Sequence, residues 1–192
     1  GTWDAVVDTC GYLPSEVRAM ARCLAGRVGR YAFISSISAY ASFATANTED
    51  SPLATLDGPE PAQADASTYG ALKAGCEQVL VQDLGERALV VRPGLIVGPG
   101  DPTGRFTWWP ARVSRCADGD PVLAPGNALA PLQFIDARDL AAFVLQGLAQ
   151  GLSGACNAVA PPRSWRWGDL LDTCAREAGV APRWVWVDSA WL

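Results

Sequence analysis

The sequence predicts an α/β fold built on a parallel sheet. Three observations carry that expectation. Short apolar runs alternate with amphipathic segments of helical period, one run is apolar on both faces, and glycines stand where the helical periods stop. Runs in strand-helix-strand-helix-strand order pair in parallel through right-handed crossovers.

The elements follow in order. Ala5-Val6-Val7 reads as a strand. Residues 15–25 read as a helix with Val17, Met20, Ala21 and Leu24 on one side and Gly26 as its stop. Tyr31-Ala32-Phe33-Ile34-Ser35 is the next strand. Residues 42–66, rich in Asn, Asp, Glu, Pro and Ser, form a long loop, and such loops in compact domains are usually functional. Ser67 or Thr68 caps a helix that runs to about Leu84, with Leu72, Cys76, Val79 and Leu80 as its apolar stripe and Gly85 at its end. Ala88-Leu89-Val90-Val91 reads as a central strand. After Pro99 the pattern changes, and Arg105 to Pro110 reads as aromatic and irregular. Apolar runs at 121–124 and 132–135 follow, then a helix capped by Asp136 with Leu140, Phe143, Val144 and Leu148 inward. Residues 156–160 read as a strand, 167–178 as a helix and 184–187 as a final strand.

Composition bounds the function classes. A chain of 192 residues, 49% hydrophobic and 18% charged, can bury a sizeable core and is globular in type. No apolar run reaches membrane-spanning length. The net charge of −5 and the lack of any Lys/Arg cluster argue against a nucleic-acid partner. Six cysteines without a Cys-x-x-Cys pair, and no histidine, make a metal site an unfavoured reading; buried free thiols in a reducing cytoplasm are expected instead. Gly1-Thr2-Trp3-Asp4 has no signal-peptide character and no initiator Met, so the expectation is a chain entered partway through.

Tyr69 and Lys73 are four apart, which on a helix puts them on one face. A phenol titrates near about 10. An ammonium beside it favours the phenolate and suits it to acid–base work on a hydroxyl or carbonyl. The spacing alone also fits an exposed pair on a solvated face. Lys73, however, is the single lysine against fourteen arginines, which suggests a place where only the compact ammonium serves. The run from Phe33 to Tyr40 is a strand ending in hydroxyls, and open α/β sheets bind ligands at the carboxyl ends of their strands. A serine there can bond a substrate oxygen as its charge changes; ordinary serine-rich turn chemistry is the plainer alternative. In Val90 to Gly100, Pro93 and Gly94 interrupt an apolar strand and admit a flat ligand to the backbone, or simply make a kink.

Taken together these motifs resemble the extended short-chain dehydrogenase/reductases, the NAD-dependent epimerase/dehydratase group. The resemblance rests on Asp4 to Gly11, Ser36 four before Tyr40, Tyr69-x-x-x-Lys73, Arg92-Pro93-Gly94 through Gly98-Pro99, and Gln133 to Ala141. It implies a partial Rossmann-like parallel sheet, its later strands and helices, with part of a small C-terminal substrate region. Residues 1–100 would be the C-terminal half of the NAD(P)-binding domain. Residues 101–192 would mix substrate-region insertions with the last Rossmann strand and helix at about 132–150. By the resemblance, Ser36, Tyr69 and Lys73 are catalytic. Asp8, Thr9, Cys10, Gly11, Pro93, Gly94 and Leu95, with Tyr69 and Lys73, line NAD or NADP. Ser38, Arg105 and Trp108 face a small-molecule substrate. Phe106 and Trp109 belong to the same aromatic run, for which packing is an equal explanation. The family's Gly-rich pyrophosphate loop is not in the sequence, since Gly98-Pro99-Gly100 with Gly104 has the wrong spacing. That loop, the first strands and the end of the substrate region are expected to lie outside these residues. Ile37 and Ser38 after Ser36, in place of an acid, disfavour a dehydratase. Leu95 in place of Asn weakens the case for a nucleotide-sugar substrate and favours a reductase-like reaction. A cytoplasmic protein without membrane partners, open to homodimer formation, fits this reading; a non-catalytic RNA-associated or binding protein on the same fold is the alternative.

Overall fold

The computed structural model describes residues 1–161 and 165–188. In chain order its elements are β1 (Trp3–Asp8), α1 (Pro14–Leu24), β2 (Val28–Ile34), α2 (Tyr69–Leu84), β3 (Ala88–Pro93), β4 (Leu95–Val97), α3 (Trp108–Val113), β5 (Pro121–Pro125), β6 (Phe134–Asp136), α4 (Ala137–Gln150), β7 (Gly154–Ala158), α5 (Trp167–Ala178) and β8 (Arg183–Val187). They fall into two compact units, Gly1–Gly94 with Arg138–Val159, and Leu95–Ala137 with Ala160–Leu192.

The first unit is the α/β sheet the sequence predicts. Its strands run in the order β1-β2-β3-β7, and every pairing is parallel. All six residues of β3 are buried, as a strand with neighbours on both edges and cover on both faces requires. Val17, Ala21 and Leu24 of α1 pack with Tyr31 and Phe33 of β2 and with Cys76, Val79, Leu80 and Leu84 of α2. Met20, expected inward, is half exposed. Helix α2 buries more than its apolar stripe, because Lys73 and Glu77 are also inside. Neither Ser67 nor Thr68 caps it in the usual way. The chain is already turning at Asp65, whose carbonyl accepts the Tyr69 N–H at 2.9 Å. The Asp65 carboxylate accepts the N–H groups of Ser67 and Thr68 at 2.9 Å each and both hydroxyls as well. These bonds, led by that from the Ser67 hydroxyl, hold its pKa at about 2.

In the second unit β4 pairs with β6 and β5 with β8, both in parallel. Its core is Val113, Leu132, Leu170 and Cys174, with Phe106, Trp109, Phe134, Trp167 and Trp184 packed against it. Here the sequence reading needs correction. The stretch read as irregular contains α3. Pro110 is its third residue, inside the first turn, where its missing N–H would have had no helical partner. The cysteine expectation also holds only in part. Cys76, Cys116 and Cys174 are buried and Cys156 is half-buried, but Cys10 and Cys23 are exposed, on the turn after β1 and on α1. Among the described residues no helix is long and apolar enough to cross a membrane.

Gly70, the second residue of α2, fixes how closely this helix approaches the turn after β2. A Cβ there would stand 2.2 Å from the Ser38 carbonyl oxygen. Helix propensity alone makes Ala better than Gly by about 1 kcal/mol. Gly70→Ala should instead destabilise the protein by about 1–3 kcal/mol through overpacking. Urea unfolding measures it, and a stabilised variant would contradict the close approach.

Candidate active site

Parallel register brings the carboxyl ends of β1, β2 and β3 to one end of the first unit, with Asp8 beside Phe33 and Ile34 beside Val91. Asp8 shapes the turn that follows it. Its Oδ1 accepts the N–H groups of Cys10 and Gly11 at 2.9 Å each, and its Oδ2 accepts the Tyr31 hydroxyl at 2.6 Å. Burial and the Asp8 carboxylate push the Tyr31 phenol far above its ordinary range. A Cβ at Gly11 would lie 2.6 Å from Val17 and 2.7 Å from Phe33, so any other residue would force these two buried side chains to shift. Thr9 and Cys10 stay exposed on the turn.

Lys73 closes this end of the unit. It is 3% exposed, which removes the reading of a solvated pair. Its Nζ donates to the Gly11 carbonyl at 2.8 Å and to the Ile34 carbonyl at 2.7 Å. The ammonium lies 4.1 Å from the centre of the Phe33 ring and 5.7 Å from that of Tyr12. Burial pushes its pKa down, and the neighbouring Cys76 and Asp8 oppose that shift. One ammonium therefore ties β1's turn to the end of β2. Tyr69, one helical turn earlier, is half-buried, and its ring centre is 6.4 Å from that of Tyr12. Both rings line a cavity of about 610 Å³, within the range of small-molecule sites.

Ser36 is half-buried, and its Oγ accepts the Ser38 N–H at 3.0 Å, which starts the short turn Ile37–Ala39. Ser38 is exposed. Pro93 ends β3, the Gly94 N–H donates to the Ala158 carbonyl at 3.3 Å, and Leu95 opens β4 in the second unit. Arg105 and Trp108 also belong to the second unit. Arg105 is exposed and bonds the Thr103 hydroxyl at 3.2 Å. Trp108 is half exposed and meets Trp109 edge-on at 4.7 Å, whereas Trp109 turns inward to Trp167 at 5.3 Å.

Sequence reasoning missed the group that holds this end of the unit in shape. Arg92 and Glu77 form a bidentate ion pair, with Nη2 2.7 Å from Oε2 and both side chains 4% exposed. Glu77 also accepts the hydroxyl of buried Ser35. Arg92 Nη1 donates to the Tyr40 hydroxyl at 2.9 Å and to the Glu49 carbonyl at 3.0 Å. The Tyr40 hydroxyl donates to Asn157 Oδ1 at 2.8 Å. The Glu49 carboxylate accepts the Asn157 N–H, which holds its pKa below the usual range. The available signal was Arg92 in the otherwise apolar run 88–93 and Glu77 four residues after Lys73, on the same helix face.

The family model for the NAD-dependent epimerase/dehydratase family matches residues 15–159. No curated protein matches the sequence. Among solved structures, the chain is similar to a putative epimerase from Burkholderia cenocepacia J2315, with 21% identity and a TM-score of 0.74 over 96% of this chain and 61% of that one. It is similar to RMD from Pseudomonas aeruginosa, solved with NADPH, with 19% identity and a TM-score of 0.71 over 95% and 69%. It is also similar to dTDP-4-dehydrorhamnose reductase from Yersinia enterocolitica, with 15% identity and a TM-score of 0.72 over 98% and 67%. At these identities the likeness is one of fold. The chain spans about three fifths of the Burkholderia protein's length.

Removing one partner of the buried pair leaves the other charge uncompensated. Glu77→Ala should cost about 3–5 kcal/mol in urea unfolding. The double variant Glu77→Ala with Arg92→Met should recover part of that loss, and strict additivity would contradict direct pairing.

Proposed function

This chain belongs to the NAD-dependent epimerase/dehydratase family, and from that premise we propose that it carries the acid–base centre of an NAD(P)-dependent oxidoreductase or epimerase, reductase-like in its chemistry. The observation that carries the reading is Lys73. The one lysine of the chain is buried at the carboxyl ends of β1 and β2, one helical turn from a tyrosine that lines a ligand-sized cavity.

In this reading Tyr69 gives a proton to, or takes it from, a substrate oxygen. The Lys73 ammonium favours the phenolate and so brings that exchange toward neutral pH. Ser36 orients the substrate: its oxygen already accepts from Ser38, and its O–H remains to donate to a ligand oxygen. Ser38, Arg105 and Trp108 are the further residues we assign to the substrate.

The donor set fits a nicotinamide nucleotide. An ammonium with two of its three N–H groups spent on carbonyls has a third for a ribose hydroxyl, and the turn Asp8-Thr9-Cys10-Gly11 presents two small, exposed side chains, Thr9 and Cys10, beside it. Asp8, Thr9, Cys10, Gly11, Tyr69, Lys73, Pro93, Gly94 and Leu95 would hold it. When bound, NAD or NADP supplies or takes up the hydride. Ile37 and Ser38, where a dehydratase would need an acid, and Leu95 favour the reductase-like reaction. A cytoplasmic homodimer belongs to the same proposal.

In the intact protein Tyr69→Phe should lower turnover by about 100-fold or more, the usual worth of a positioned acid–base group. Cofactor affinity, read by calorimetry, should stay near the parent value. Full activity in the variant would end the assignment.

A further inference from the structure

We propose that the cavity beside Tyr69 admits the uncharged or cationic, flat-faced end of a hydroxyl or carbonyl substrate and turns away an end that bears a carboxylate or phosphate. The inference rests on the function proposed above and names the substrate chemistry of that same site.

The walls carry the argument. Tyr12 and Tyr69 present two rings tilted by 48°, and Leu13 with Ala62, Ala64 and Ala66 adds apolar surface. Among the described residues, the charged members of the lining are Glu16 and Asp65, and none is Arg or Lys. Asp65 stays ionised across the ordinary pH range because Ser67 and Thr68 give it four hydrogen bonds. Lys73 acts on the Tyr69 hydroxyl but gives the cavity no exposed cation with which an anion could pair. It is 3% exposed, two of its N–H groups are held by carbonyls, and the Tyr12 ring lies 5.7 Å from its Nζ. The nearest arginines on α1, Arg18 and Arg22, line a different hollow with Ser15 and Glu60. A cation in the cavity meets two carboxylates and two aromatic rings, whereas an anion meets the two carboxylates and, among the described lining residues, no exposed cation. Both carboxylates are exposed, so salt screens the effect to about a few-fold for each.

Three probes of nearly equal shape test it: 4-hydroxypiperidine, cyclohexanol and 4-hydroxycyclohexanecarboxylate. Each is titrated into the full chain while the backbone amides of Ala62, Ala64 and Ala66 are followed by NMR. The piperidine should bind about tenfold more tightly than the carboxylate, and the gap should narrow in concentrated NaCl. Glu16→Lys should close or reverse it. Equal or tighter binding of the carboxylate, or amide shifts that cluster away from this cavity, would overturn the inference. The two claims fail separately. Full turnover in Tyr69→Phe with the charge order intact ends the catalytic assignment alone; loss of the charge order with Tyr69→Phe inactive ends this one alone.

Discussion

The Arg92–Glu77 pair is the constraint on which the rest of the first unit depends. Burying two charges costs several kcal/mol per ion and is offset only by good geometry and further partners. Here the carboxylate takes a bidentate guanidinium and the Ser35 hydroxyl, and the guanidinium also holds the Tyr40 hydroxyl and the Glu49 carbonyl. Five segments therefore meet at one point: α2, β3, the end of β2, the loop after it and, through Tyr40 and Asn157, β7. Glu77 lies one turn after Lys73, and Lys73 one turn after Tyr69. Holding Glu77 holds the rotation of α2, and that rotation sends the Lys73 ammonium to the Gly11 and Ile34 carbonyls.

The loop of residues 42–66 is organised by the same centre. Glu49 ties it to Arg92 and Asn157, Leu53 bridges Tyr40, and the Glu60 carboxylate receives the N–H and hydroxyl of Ser15 at the start of α1. Its last part forms one wall of the cavity beside Tyr69. A long polar stretch is thus pinned along its length, because Glu49, Leu53 and Glu60 each find a partner outside it.

Most of the sheet was legible in the sequence, because apolar runs such as Ala88 to Val91 and the stripe of α2 report burial directly. Tyr69 and Lys73 were legible as a spacing, and the rarity of lysine pointed to a place where only the compact ammonium serves. The remainder depends on three-dimensional partners. Glu77 and Arg92 look like surface charges until each is seen to be the other's compensation. Asp65 replaces the expected cap because the chain begins to turn before Ser67. The first turn of α3 hides Pro110 in the one part of a helix that tolerates it. Cys10 and Cys23 resemble their buried counterparts in sequence, and only the placement of the β1 turn and of α1 exposes them. The order of Asp8, Gly11 and Lys73 in the chain says nothing of the carbonyl that joins the last two.

The central claim is that the buried Lys73 ammonium tunes the Tyr69 phenol. Its most direct test is a pH titration of the Tyr69 ring carbon bearing the hydroxyl, followed by NMR in protein with labelled tyrosine. The account predicts a midpoint below the ordinary phenol value of about 10, rising in Lys73→Met. An ordinary midpoint that does not move when Lys73 is replaced would contradict it.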